Sequence, residues 1–259
     1  MLVAAAVAAT GVGIGVHELF RSVTQPIPGC TIGSGPQALV LTLDQAENAS
    51  TIAAVAKKLL LPDHAVTIGL ATALQESKLH NYPFGDRDSV GLFQQRPSQG
   101  WGTPTQLLTP AYASAAFFRH LANVPGWQEM PVAVAAQDVQ HSADGSAYAQ
   151  WEEEARAMAR VLTGETATGL ACHFPASPTP RPRELQAAAN QELGPDVLGR
   201  VDATAAQDWT VANWLVAHAS GYDIVAVTVR GQRWTNDGRW RLDDAAARAP
   251  SYEFALTHS

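Results

Sequence analysis

The sequence predicts a mainly α protein, a helical domain followed by a small α/β module. Three observations carry this. Apolar residues recur at helical spacing in several segments between residues 47 and 164. Four prolines, Pro175, Pro178, Pro180 and Pro182, fall within eight residues and exclude regular structure there. Beyond them "YDIVAVTVRG" alternates as a strand does, and "RWTNDGRWRL" suits a hairpin turning at Asn236, Asp237 and Gly238.

Taken in order, residues 1–20 are expected to be a signal or membrane anchor. They are apolar from Leu2 to Val16 apart from Thr10. The run is short of the roughly 20 residues that a full span takes, and no basic residues precede it. The rest of the chain is then expected to be extracytoplasmic, either secreted or tethered to the membrane through this segment. Residues 21–46 are rich in Pro, Gly, Thr and Ser and suggest an extended linker.

Residues 47–164 form the expected helical domain. "NASTIAAVAKKLLL" offers Ser50 or Thr51 as N-cap, and Pro62 ends it. "DHAVTIGLATALQESKL" follows, with Val66, Leu70, Ala73 and Leu74 as an inner stripe and Glu76 in its last turn. Residues 80–106 lack helical periodicity. Helices resume at "PAYASAAFFRHLANV", "PVAVAAQDVQHSA" and "AYAQWEEEARAMARVLTG", with Gly164 as a stop. Residues 165–183 are expected to be a Pro-rich linker, and 184–259 the small module. Its four tryptophans, Trp209, Trp214, Trp234 and Trp240, suit the core of a small unit; glycan binding is their alternative role.

The net charge of −7 leaves no basic footprint for nucleic acid. The histidines show no metal-ligand spacing, so neither metal nor cofactor is expected. Cys30 and Cys172 are too few for a disulfide framework. Export would allow them to form one bridge; two unrelated buried thiols are the alternative.

One stretch stands apart, "ALQESKLHNYPFGDRDSVGLFQQRPSQGWG". Glu76 faces the negative end of its helix dipole, which disfavours the charged carboxylate. Partial burial pushes the same way, toward the pKa of roughly 6–7 that suits a general acid. The plainer reading is a solvated glutamate paired with Lys78 or Arg87. Nearby lie amides (Gln94, Gln95), hydroxyls (Ser77, Ser89) and an indole (Trp101), the groups that hold neutral sugars by edge hydrogen bonds and ring stacking. Asp86 and Asp88 suit a turn better than a second catalytic carboxylate.

"QES" at 75–77 followed by "SVGLFQ" at 89–94 resembles the Glu-Ser and Gly-Leu-Met-Gln motifs of the lytic transglycosylase (SLT) and goose-type lysozyme-like superfamily. It also resembles an actinobacterial group of lysozyme-like domain proteins. The resemblance covers roughly residues 47–163. It implies a lysozyme-like helical domain acting on peptidoglycan glycan strands. Glu76 would be the single acid/base at the bond between N-acetylmuramic acid and N-acetylglucosamine, with Ser89 and Gln94 lining the cleft. The family's third motif, Ala-Tyr-Asn, is replaced by "AVAAQDVQHSA". By this alignment Gln140 takes the place of the asparagine and Tyr148 that of a later tyrosine that contacts the acid. The departure bears on turnover more than on fold. The alternative is therefore a catalytically inactive glycan-binding or envelope scaffold protein.

Overall fold

The computed structural model describes residues 27–141, 145–176, 181–199, 203–244 and 252–256. The expected signal or anchor lies outside these residues. Within them the chain is mainly helical with two small antiparallel sheets.

The expected linker at 21–46 holds structure from residue 29 on. Strands β1 (Gly29–Ile32) and β2 (Leu39–Leu41) pair antiparallel. Helix α1 (Leu43–Lys58) starts well before the expected cap at Ser50 or Thr51. Its N-cap is Thr42, whose side chain accepts from the Gln45 amide while Gln45 bonds back to Thr42. This reciprocal box satisfies two orphan donors of the first turn. Ser50 and Thr51 are instead buried mid-helix.

α1 ends at Lys58, with Leu60 in left-handed backbone at φ 58°, and α2 (Asp63–Ser77) follows with Pro62 as its N-cap. Every residue from Ala65 to Leu74 is buried, so α2 is a central helix and not a one-stripe surface helix. Gly69 explains how its neighbours come so close: a Cβ there would lie 2.9 Å from the Phe118 ring and 3.2 Å from Ile52. Around it pack α1, α4 (Pro110–Ala122), α5 (Val132–Gln140) and α6 (Glu152–Leu162), the last preceded by a 3-10 segment at Gly145–Trp151, while a short α3 (Pro104–Leu107) packs on α4. Gly164, with φ 79°, follows the end of α6 as expected.

The expected linker at 165–183 holds β3 (Leu170–His173), which pairs with β1 and completes the sheet β2-β1-β3. Cys30 and Cys172 face each other in that pairing and are joined by a disulfide. Helix α7 (Pro182–Glu192) begins at Pro182, where a proline fits the first helical position. Then come α8 (Ala205–Ala217), α9 (Ala219–Tyr222) and strands β4 (Ile224–Val229), β5 (Gln232–Thr235), β6 (Arg239–Leu242) and β7 (Tyr252–Leu256). They form a sheet in the order β6-β5-β4-β7. The β5–β6 hairpin turns at Asn236–Gly238 as the sequence suggests.

These C-terminal elements share one apolar cluster with the helices before them. α8 packs on α1, α6 and β3. The Asn213 amide donates to the Val161 carbonyl at 2.7 Å, and the Trp240 indole to Leu170 at 2.7 Å. Trp209, Trp214 and Trp234 are buried. Trp240 packs edge-on against Trp209. No helix of the described residues is long and apolar enough to cross a membrane.

Candidate active site

Helix α2 ends by reversal. Lys78 and Leu79 both adopt left-handed backbone, with φ 56° and 65°. Their carbonyls are held from α1: Gln45 donates to Lys78 at 2.9 Å and Asn48 to Leu79 at 2.8 Å. This support sets the direction of the last turn and of Glu76 on it.

Glu76 is half-buried. The Tyr148 hydroxyl donates to its Oε1 at 2.6 Å. Gln140, at the end of α5, donates to the Phe93 carbonyl at 2.7 Å, and its amide favours the Glu76 anion. Burial holds the Glu76 carboxyl above its ordinary pKa, against the opposing pull of the Tyr148 and Gln140 hydrogen bonds and the Lys78 charge. The structure thus brings together Glu76, Gln140 and Tyr148, from three separate elements.

Three residues expected to bind substrate are engaged inside the protein. Ser77 is buried and donates to the Ala73 carbonyl at 3.1 Å and the Leu92 carbonyl at 2.7 Å, tying the helix end to the following loop. Gln95 is buried and donates to Ala113. Ser89 is buried in its turn, its amide donating to Asp86. Ser77 thus satisfies a carbonyl of the loop, and Gln95 ties the loop to α4. Gln94 is half-buried and its amide donates to the Gly91 carbonyl at 3.0 Å. Trp101 has one ring face covered by His120, with centroids 3.9 Å apart.

The loop is rigid for visible reasons. Leu92 and Phe93 are fully buried, and Phe93 stacks on Phe117 at 4.7 Å. Gly91 has φ 81°, and a Cβ there would collide with the Leu107 carbonyl oxygen. The close approach is thus to the protein's own backbone. Asp88 accepts from the Ser98 amide, Arg96 and the Ser98 hydroxyl, which hold its carboxyl down at about 2. It is a pin for the turn, as its sequence context suggests.

Sequence reasoning missed a second support beside Glu76. Gln75 Oε1 accepts from the Trp151 indole at 2.7 Å and from Gln150 at 3.2 Å. Lys78 Nζ lies 4.0 Å over the Trp151 ring, a cation–π contact. The only available signal was the adjacency of Gln75 to Glu76, with no hint of the partner's distance along the chain.

A cavity of about 380 Å³ lies between α1 and the turn after α2, lined by Asp44, Glu47, Asn48, His80, Asn81 and Tyr82 among others. A larger one, about 870 Å³, lies between the ends of α1 and α6 and the α7–α8 connection. Glu76 lines neither. Among the described residues no group of three or more His, Cys, Asp or Glu could hold a metal ion. No protein-family model matches the chain. No curated protein matches it either.

Proposed function

We propose that the helical part of the chain has a lysozyme-like fold and cleaves peptidoglycan between N-acetylmuramic acid and N-acetylglucosamine, as a lytic transglycosylase or muramidase with Glu76 as sole acid/base. The observation that supports this most is the Glu76 carboxyl itself. It is raised by burial at a helix end and accepts from the Tyr148 hydroxyl at 2.6 Å.

In this reading protonated Glu76 gives its proton to the glycosidic oxygen as the bond to C1 breaks. The substrate's acetamido oxygen closes on C1, in place of a second carboxylate. Tyr148 and Gln140 strengthen their hydrogen bonds as Glu76 becomes anionic. Glu76 then takes a proton from the sugar's C6 hydroxyl, giving an anhydro product, or from water, giving hydrolysis. The glycan strands are the partner, reached from the extracytoplasmic side, with the N-terminal apolar segment as tether or signal.

Incubation of the full-length chain with purified sacculi tests the reading. Soluble muropeptides should be released, and Glu76→Gln should lower the release at least a hundredfold. Equal release by both proteins would end the proposal. A second reading, glycan binding without turnover, is favoured by Gln140 standing where the family's third motif has an asparagine. It predicts retention on sacculi by parent and Glu76→Gln alike, with no muropeptides released.

A further inference from the structure

Three aromatic side chains stand in a row beyond the end of α2. The His80 and Tyr82 ring centroids lie 5.4 Å apart, and those of Tyr82 and Phe84 5.5 Å apart. Tyr82 is 39% exposed and Phe84 68%. The backbone beneath them is fixed: the His80 amide donates to the Ser77 carbonyl at 3.1 Å, and the Gly91 amide to the Tyr82 carbonyl at 2.7 Å. The Tyr82 and Phe84 rings are thus held in place without belonging to the core. Large apolar groups left together in solvent mark an interaction site.

Tyr82 also lines the cavity of about 380 Å³ between α1 and this turn. That volume is at the low end of the range for small-molecule pockets, about 300–1,000 Å³. Two of its polar residues build the wall: Asn48 and Asn81 donate to the Leu79 and Leu108 carbonyls at 2.8 and 2.7 Å. The carboxylates of Asp44 and Glu47 make no hydrogen bond or ion pair among the described residues. Burial raises the Glu47 pKa, against the pull of His218, and hydroxyl donors from a ligand would offset that cost. The lining holds no Lys or Arg to attract an anion. A small ammonium ion would use the carboxylates and one ring, leaving the rest of the row without a role. A chain of sugars uses all of it, with hydroxyl edges on the carboxylates and apolar faces on successive rings.

The row runs on toward the Glu76 site. The Phe84 carbonyl accepts from the Gln94 side-chain amide at 3.5 Å, and a Cβ on Gly85 would collide with the Gln94 side chain. The preceding residue, Phe93, is the one whose carbonyl accepts from Gln140 beside Glu76. We propose that the cavity and the ring row form a subsite for a β-linked N-acetylhexosamine chain, one sugar held by Asp44 and Glu47 and the next on Tyr82 and Phe84. The choice of sugar rests on the peptidoglycan reading of Glu76.

The test uses the full-length chain carrying Glu76→Gln, so that no sugar is cleaved, and chitotetraose in a calorimetric titration. Saturable binding with a Kd below about 5 mM is expected. Tyr82→Ala and Phe84→Ala remove rings that the core does not use. They should leave thermal melts unchanged and weaken the tetraose about tenfold and fivefold. Asp44→Ala should weaken it about threefold. The inference is overturned by an absence of saturable binding up to about 5 mM, by affinity that either ring variant or Asp44→Ala leaves unchanged, or by butylammonium binding more tightly than the tetraose. Muropeptide release by the parent chain keeps the two readings apart. Release without tetraose binding ends this inference alone, and ring-dependent tetraose binding without release ends the cleavage reading alone.

Discussion

The Tyr148 hydroxyl lies 2.6 Å from Glu76 Oε1, across 72 residues of sequence. Two forces act on that carboxyl in opposite directions. Burial raises its pKa, and the hydroxyl lowers it by favouring the anion. Tyr148→Phe keeps the ring and removes the second force, so the pKa rises further. A general acid works in its protonated form. The alkaline limb of the pH–rate profile for sacculus digestion should therefore move to higher pH. The rate at neutral pH should fall about tenfold, because the forming anion loses a donor, a cost of about 1.4 kcal/mol. An unmoved limb would separate Tyr148 from the acid.

Gln75 supplies a different kind of support. Its carbonyl oxygen accepts from Trp151 and Gln150 one position before Glu76. Gln75→Leu removes that acceptor and leaves a half-buried indole N–H without it, at a cost of about 1–2 kcal/mol. The last turn of α2 then loses its tie to the 3-10 segment that carries Tyr148. Steady-state assays should show kcat down about three- to tenfold with KM nearly unchanged, and Trp151→Phe should behave alike. A loss in KM alone would assign Gln75 to substrate contact instead.

Range along the chain decides how much of this molecule is legible in its sequence. Several local signals hold, Gly164 after α6, the turn at Asn236–Gly238 and α2 ending just beyond Glu76, while the cap expected at Ser50 or Thr51 lies at Thr42. Linker composition misleads at 21–46 and 165–183, because β1, β2 and β3 are short, and their pairing partners lie up to 144 residues apart, as in Gly29 with His173. Short strands carry little periodicity, and long-range register carries none. The same limit governs the site. Glu76 stands out by its local context. Whether a hydroxyl or amide faces outward or into the backbone, as at Ser77 and Gln95, depends on contacts 15 and 18 residues away.

The Cys30–Cys172 bridge closes a loop with a sequence separation of 142 residues around the whole helical part. Cross-links over long loops chiefly restrict the unfolded chain, by about 3–5 kcal/mol. The Cys30→Ala, Cys172→Ala pair should lower the midpoint of denaturant unfolding accordingly. Activity at 25 °C should remain, since the bridge lies in the β1–β3 pairing and the acid on α2. A midpoint unchanged between oxidised and reduced protein would count against the bridge.

His218 and Glu192 place a charge pair in the interior. His218 is 1% exposed, its Nδ1 faces the Trp214 carbonyl at 2.9 Å, and its Nε2 faces Glu192 at 3.3 Å. That second contact is an ion pair whose alignment is too poor for a hydrogen bond. Glu192 also accepts from Thr51 and Trp214, each at 2.8 Å. Glu47 of α1, the Tyr222 ring of α9 and Arg181 before α7 complete the surroundings. Burial opposes both charges, but their mutual attraction outweighs it: His218 is held above its ordinary 6.5 and Glu192 below its ordinary 4.5. The Glu192 contribution is therefore present above about 4.5 and lost as pH falls through its lower folded value. The His218 contribution is present below about 6.5 and lost as pH rises through its higher folded value. Glu47, raised by burial, also weakens the fold as it ionises. The melting temperature should therefore peak near pH 5–6.5 and decline toward pH 9. His218→Gln should flatten the alkaline decline. Glu192→Gln should cost about 3–5 kcal/mol at pH 6, because it strands the imidazole without its counter-charge. Removing both partners should cost less than Glu192→Gln alone, since neither charge is then left buried. A wild-type melting temperature that stays flat from pH 6 to 9 would mean that His218 is neutral in the fold and that the pair contributes nothing.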